Sequence, residues 1–336
     1  MKKLLMAAAA IALTATMAVS MAGCAAKERM KVIDVMLTGE EYAYAINKNK
    51  SEDWVKQVND VLEKLVGSKP YNPELDATTD AVGVSYDYDG DGVEEENVTI
   101  KTLYDAEVAD TEENDTIADN IGVAGTDCIT SVDDIKSGER DQYFVVATNA
   151  EFAPWEDMDG NSFRGVDMHV AKIIAEAMGL KLCIVNMEFD VVIQNVNQGK
   201  ADIGMAGLTS NPTRAEMVNF STHYYGTTQR IAVRESDAHL FADCKNEADV
   251  RKVITEMGNI NGGAADGQSG YAYLAGDTNF GEKFTGFPNV TTKGYPNISL
   301  AVQDLSVGKV RIVAADKDTL LDAVNSLNET IPVEEE

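Results

Sequence analysis

Histidine is scarce in this chain of 336 residues, with three in all. His169, His223 and His239 stand beside nothing in sequence that would complete an acid–base or nucleophilic site, so all three are assigned structural or surface roles. Positive charge is also short: 28 Lys and Arg face 56 Asp and Glu, a formal net charge of −28. That excess disfavours nucleic acid and anionic lipid headgroups as partners and favours solubility. The four cysteines, Cys24, Cys128, Cys183 and Cys244, include no two at a metal-ligand or redox spacing. Cys183, inside KLCIV, reads as a buried strand residue. Beyond the first residues no apolar run approaches the roughly 20 residues needed to span a bilayer.

The exceptional stretch is the first one, MKKLLMAAAAIALTATMAVSMAGC. A basic start at Lys2 and Lys3, an apolar middle and small residues before Cys24 have the layout of an export signal over residues 1–23. Met21-Ala22-Gly23-Cys24 resembles a bacterial lipobox, with Met in place of the more usual Leu. The resemblance implies lipidation at Cys24, an extracytoplasmic location and attachment to the cell membrane through lipid alone. Roughly 310 residues remain, which suits one two-lobed protein or two domains.

The clearest regular structure lies between 143 and 234. YFVVAT (143–148) reads as a buried strand, GVDMHVAKIIAEAMG (165–179) as a helix stopped at Gly179, and KLCIV (181–185) as the next strand. VVIQNVNQG (191–199) reads as a helix and ADIGMAG (201–207) as the third strand. Alternation of this kind builds parallel βαβ units, whose ligands lie beyond the carboxyl ends of the strands. The fold class is therefore α/β, and the loops 149–156 and 207–214 matter most. Residues 235–336 repeat the style less cleanly: a Gly-rich turn NGGAADGQSG (261–270), a helix near 299–308, a strand VRIVAAD (310–316), a helix at 317–328 and an acidic tail. Residues 67–141 are rich in Asp, Glu, Thr and Gly, and 106–120 holds too little apolar content to pack. They read as a surface insert or linker.

In AGLTSNPTRAEMVNFS (206–221) a strand ends in small residues and a hydroxyl, with an arginine five positions beyond. Gly207 permits close approach of a ligand, Thr209 offers a hydroxyl, and Arg214 a fork suited to a carboxylate. Together with NAEFAPWE, RGVDMHVAKIIAEAMG and YYG, this segment is similar to lobe I of the amino-acid-binding substrate-binding proteins of ABC importers (solute-binding protein family 3, type II periplasmic-binding-protein fold). Lobe II matches more loosely, through GGAADGQSGYAYL and AVQDLSVGKVRIVAADKDTLL. The resemblance implies that Arg214 takes a ligand α-carboxylate beside Thr209 and the Gly207 backbone, and that Asp316 takes the α-ammonium. It further implies a turn at Gly267 and Gln268 facing the ligand, with Gln where Thr or Ser is common. Phe152 and Phe189 would sandwich the ligand side chain and Asn149 would help read it. Opposite charges at fixed separation meet what a zwitterion needs before it gives up its hydration. Each residue also has a plainer role open to it. Phe152, Trp155 and Phe189 could be core aromatics, Asp316 a cap for the helix that follows, and Asp167 a helix-start residue.

The segment KVIDVMLTGEEYAYAINKNKSEDWVKQVNDVLEKL (31–65) cannot bury a core alone. In the family a strand like KVIDV ends lobe II, a crossing like EEYAYAINK returns to lobe I, and a helix like SEDWVKQVNDVLEKL packs there last. Here these pieces come first, which reads as a circular permutation. The expected layout is a lobe II strand at 29–36, a crossing strand and lobe I helix at 37–66, and the insert at 67–141. Lobe I follows at 142–230, lobe II at 231–330, and a tail at 331–336. Within the insert, DYDGDGVEEE puts Asp87, Asp89, Asp91 and Glu95 at positions 1, 3, 5 and 9 of a calcium-type loop, with Val98 at position 12 where an acid is expected. It fits either a structural calcium site or an Asp/Gly hairpin tip between AVGVSY and NVTIKT. No other cofactor is expected. The resulting expectation is a monomeric, lipid-anchored binding protein without catalytic activity, which captures an amino acid and delivers it to an ABC transporter permease. The rivals are a prephenate or arogenate dehydratase-like enzyme on the same fold and a ligand-sensing module.

Overall fold

A computed structural model describes residues 27–75, 78–109, 117, 121 and 128–332. Cys24 and the stretch 1–23, read as an export signal, lie outside the described residues, as do 333–336 of the tail. Two six-stranded sheets organise two α/β lobes. In the first, Tyr143–Thr148 runs parallel to Lys181–Asn186 in continuous register from Lys181↔Tyr143 to Asn186↔Thr148, and parallel to Ile203–Gly204. Cys128–Ile129 extends one edge in parallel, and Ala45–Ile46 joins antiparallel between Ile203–Gly204 and Asn219–Phe220.

The run FVVAT is apolar almost throughout because both faces of this sheet are covered. Phe144 and Val146 face a core shared with the helices Glu52–Val66 and Val166–Ala177, while Val145 and Ala147 face the helix Phe189–Asn197. The helix Glu52–Val66 begins where the Ser51 hydroxyl accepts from the Trp54 amide, with Glu52 and Asp53 in its first turn. Cap and charges both suit a helix start. Its buried stripe, Val58, Val61, Leu62, Leu65 and Val66, packs into the same cluster as Val170, Ala171 and Ile174.

The second sheet has the order Met30–Ile33, Tyr225–Arg234, Ile312–Asp316, Ile260–Ala265, Val290–Tyr295. Met30–Ile33 pairs antiparallel with the long strand Tyr225–Arg234, from Met30↔Arg234 to Ile33↔Ile231. That long strand is also the crossing between lobes. Its start pairs with Gly39–Tyr42 and its continuation with Ile312–Asp316, so the division expected at 230/231 falls inside one strand. The first half of the Gly-rich stretch expected as a turn belongs to the strand Ile260–Ala265. A Cβ on Gly262 would lie 2.9 Å from Val290 and 3.0 Å from Leu274. Glycine serves close packing there, and only Gly267, at φ 73°, turns the chain.

Residues 67–141 depart most from expectation. They are not merely a surface linker: Tyr71, Tyr86, Val98, Ile100, Leu103 and Tyr104 are buried in the lobe I core, as are Ile117, within 106–120, and Ile121 just beyond it. NVTIKT is only half a strand, since Glu95–Val98 gives way to the helix Ile100–Ala109. A few large apolar side chains, well spaced, suffice to dock an otherwise acidic segment onto a larger core. Among the described residues no helix is long and apolar enough to cross a membrane.

Candidate functional site

The carboxyl end of Ile203–Gly204 and the carboxyl end of Ile312–Asp316 face one another across the cleft between lobes. Phe152, Phe189, Gly207, Thr209 and Arg214 from one lobe meet Gln268, Ser269 and Asp316 from the other, enclosing about 10 Å³ of free space. That is about the room one water needs, so the lobes meet closely here.

Arg214 sits in the short helix Pro212–Ala215, whose Asn211 side chain accepts from the Arg214 amide at 2.9 Å. The guanidinium is buried and donates to the Thr209 carbonyl at 2.7 Å and, across the cleft, to the Gly267 carbonyl at 3.0 Å. It also lies over the rings of Phe189 and Phe280, 5.4 and 5.5 Å from their centroids. Burial lowers its pKa to about 10, opposed by the nearby Glu40 and Asp316 carboxylates. It therefore keeps its charge at neutral pH.

Asp316 ends its strand and occupies the N-cap position before the helix Lys317–Glu329, yet its side chain makes no capping bond. It accepts from the Tyr42 hydroxyl at 2.6 Å instead. Burial first, then the charge of Glu40, raises its pKa to about 7. Gln268 is 7% exposed, and its Oε1 is buried without a hydrogen-bond partner although it lines the cleft. The Thr209 hydroxyl donates to Glu40 Oε2 at 2.8 Å.

Two expected contributors differ. Asn149 is not in the cleft lining, because its side chain is spent on lobe I, donating to the Met187 carbonyl at 3.0 Å. Gly207 does line it, but what approaches its missing side chain is protein. At φ 51° a Cβ there would fall 2.5 Å from the Phe152 ring, and its amide already donates to Asp167 Oδ2 at 3.2 Å. Trp155 is core, edge-on to Tyr42 at 5.5 Å between centroids. Asp167 is more than a helix-start residue: wholly buried, it also accepts from Tyr44 and Tyr224, each at 3.0 Å. His169 meets the Tyr86 hydroxyl at 2.9 Å and takes no part in the cleft.

Sequence reasoning missed Glu40, Tyr42 and Ser269. Glu40 and Tyr42 are the buried positions of the alternating strand Gly39–Tyr42. The signal was present in that alternation, but only pairing with Tyr225–Thr228 says which face turns inward.

Beneath Gly207 the carboxyls of Glu156 and Asp167 are both fully buried. Burial first and the neighbouring Asp167 charge second push Glu156 well above the usual carboxylate range. Burial raises Asp167 to about 6 against its hydrogen bonds from Gly207, Tyr224 and Tyr44. Both groups bind protons more tightly folded than unfolded. Their stabilisation is present below the unfolded carboxylate range, near pH 4, and is lost as pH rises through the folded values. Glu156→Gln is therefore expected to melt several degrees above the wild type at pH 8, with the gap narrowing towards pH 4.5. A gap that stays constant over that range would exclude titration of Glu156 as its origin.

In the insert, Asp87, Asp89 and Glu95 each place an oxygen within 4.8 Å of the others. Asp91, expected in the same set, is not part of it, and its Oδ1 accepts from the Val93 amide at 2.8 Å. Asp87 likewise accepts from the amides of Gly90 and Gly92 at 2.8 and 3.0 Å, bonds that a plain hairpin tip also makes.

Three comparisons bear on this architecture. The family model for bacterial extracellular solute-binding proteins, family 3, matches residues 144–335, more than half of the chain. The arginine-binding extracellular protein ArtP of Bacillus subtilis is 29% identical over 122 residues, 36% of this chain and 47% of that protein. A probable histidine-binding protein of Neisseria gonorrhoeae is 25% identical over 184 residues, 54% of this chain and 62% of that protein. The chain thus matches about half to three-fifths of the length of these curated relatives. Among solved structures, holo ArgBP from T. maritima is similar with a TM-score of 0.47 and 25% identity, covering 59% of this chain and 78% of that one.

Proposed function

The chain belongs to the bacterial extracellular solute-binding proteins, family 3, and from that premise we propose that its two lobes close over an amino acid and hand it to an ABC importer. The observation that carries this reading is Arg214, a buried cation that spans the cleft from Thr209 to Gly267, with Asp316 on the facing lobe. A ligand α-carboxylate would replace the two carbonyls that Arg214 now holds, gaining a charge-assisted, two-pronged bond. The α-ammonium would lie at Asp316, whose Tyr42 partner fixes the carboxylate. Phe152 and Phe189 would flank the side chain, and the unpartnered Gln268 Oε1 would accept from the ligand. Closure then follows from ligand contacts to both lobes, a shift in population towards the closed form.

The reading includes no catalysis. Lipidation at Cys24, a monomeric state and a membrane contact through the lipid alone belong to the same proposal. So does a rotated element order, in which 29–66 supply pieces the family usually places last. It is supported by the pairing of Met30–Ile33 in the lobe II sheet and the packing of Glu52–Val66 on lobe I.

Calorimetric titration with a panel of amino acids tests the site. Arg214→Ala and Asp316→Asn are each expected to weaken binding more than tenfold, about 1.4 kcal/mol, because each leaves a buried charge of the ligand unpaired. Near-wild-type affinity in either variant, with melting unchanged, would remove that residue from the site. Turnover of prephenate or arogenate by the wild type would favour the enzyme instead.

A further inference from the structure

The buried charge around the cleft does not balance. A zwitterionic ligand matches Arg214 with its carboxylate and Asp316 with its ammonium, and that leaves Glu40. Glu40 is 8% exposed, on the crossing strand Gly39–Tyr42. Its carboxylate oxygens accept from the hydroxyls of Thr38 and Thr209, both at 2.8 Å. Its charge acts on both Arg214 and Asp316. Hydroxyl donors solvate a buried carboxylate without neutralising it, and an uncompensated buried charge is costly.

Thr209 also lines a second space. Beyond it opens a cleft of about 580 Å³ whose walls include Glu40, Glu41, Ser210, Thr227 and Phe280. The crossing strand lines it with two acids, Glu40 and Glu41, against one exposed cation, Lys69, and the Phe280 ring already stacks on one guanidinium, that of Arg214. Aromatic faces of this kind favour cations. A ligand whose α-carbon groups lie at Arg214 and Asp316 has Thr209 beside it, and a side chain passing Thr209 arrives at Glu40.

We propose that the site selects amino acids carrying a second positive charge, arginine or lysine in class, with Glu40 as the residue that receives the side-chain cation. This rests on the amino-acid reading above and narrows it. The Thr209 hydroxyl, which now serves Glu40, orients that carboxylate towards the space the side chain enters.

The test pairs ligands of equal shape and different charge: L-arginine against L-citrulline, and L-lysine against L-norleucine, titrated into the full chain. The wild type is expected to bind each cationic member at least about tenfold more tightly than its neutral partner. Glu40→Gln keeps shape and hydrogen bonding, and is expected to reduce arginine affinity about tenfold while leaving citrulline unchanged. Glu63→Gln, at an exposed acid of the helix Glu52–Val66 that lines neither cleft, is expected to change neither. Equal wild-type affinity for the charged and neutral members would overturn the charge selection and leave the amino-acid reading standing. An equal loss for both in Glu40→Gln, or melting that shows a misfolded variant beside unselective wild-type binding, would reduce Glu40 to a structural acid. Binding of no amino acid at all would sink the underlying reading, and this inference with it.

Discussion

Removal of residues 27–66 is expected to abolish cooperative folding. Those residues are distributed over both lobes. In the second lobe Met30–Ile33 closes the sheet edge beside Tyr225–Arg234. Its entry is locked by a reciprocal pair: Asn328 accepts from the Met30 amide at 2.9 Å and donates to the Met30 carbonyl at 2.9 Å. In the first lobe Ala45–Ile46 is an interior strand, so its loss separates Asn219–Phe220 from the rest of the sheet. The helix Glu52–Val66 adds five buried apolar side chains. At about 1.5–3 kcal/mol each for full burial, that helix alone contributes on the scale of a domain's whole net stability, about 5–15 kcal/mol. The deletion also strips Tyr42 from Asp316 and Tyr44 from Asp167, leaving buried carboxyls short of donors. Urea unfolding followed by circular dichroism should lose its sigmoidal transition. A sharp transition with retained ligand binding would mean that 27–66 is a loose appendage, and the rotated element order would fall with it.

Parts of this architecture were legible because their burial leaves a periodic mark. Val166–Ala177 and Glu52–Val66 carry apolar stripes of helical period, and YFVVAT carries the unbroken apolar run of a strand covered on both faces. Thr209 and Arg214 were marked by the loop at a strand's carboxyl end, where ligands of parallel units lie, whereas Gln268 and Asp316 were named only through the family resemblance. The failures have local causes. Asn149 looked available, but an amide at a strand end can be used up by the adjacent Met187 carbonyl. Gly262 and Gly263 looked like a turn, since composition does not separate glycine needed for φ from glycine needed for packing. Tyr71, Leu103 and Tyr104 were diluted by acidic neighbours, and no window average reveals that they converge on Tyr225 and Trp155. Glu40 carries no mark beyond alternation, and Glu41 beside it is chemically identical.

Glu74→Ala is expected to destabilise the protein by about 2–3 kcal/mol, a large effect for a substitution outside the hydrophobic core. Glu74 lies in the insert, three residues after Tyr71, whose amide donates to the Tyr224 carbonyl and whose carbonyl accepts from Gly226. From there it reaches lobe II. Its Oε1 meets Arg230 at 2.7 Å and Lys317 at 2.8 Å, and its Oε2 accepts from Thr228 at 2.7 Å. The Arg230 side chain is only 5% exposed, and its other acidic neighbour, Asp34, is 3.9 Å away and almost fully exposed. Truncating Glu74 therefore leaves a buried guanidinium with little to neutralise it, which costs more than the pair itself contributes. The magnitude is set below that of a wholly buried pair because the Glu74 side chain keeps a fifth of its surface in water. The pH dependence has a definite sign. Burial works to raise the Glu74 pKa, but Lys317, Thr228 and Arg230 outweigh it and hold the folded value below the usual one. Its contribution is therefore present above the unfolded pKa, near 4.3, and is lost as pH falls through the folded value. Wild-type and Glu74→Gln melting temperatures should differ by several degrees at pH 7 and converge below about pH 4. Because the contact ties a segment docked on lobe I to the lobe II residues Arg230 and Lys317, the alanine variant should also have a larger radius of gyration by X-ray scattering. Unchanged melting at pH 7 would show that Arg230 finds another partner and that the insert does not brace the two lobes.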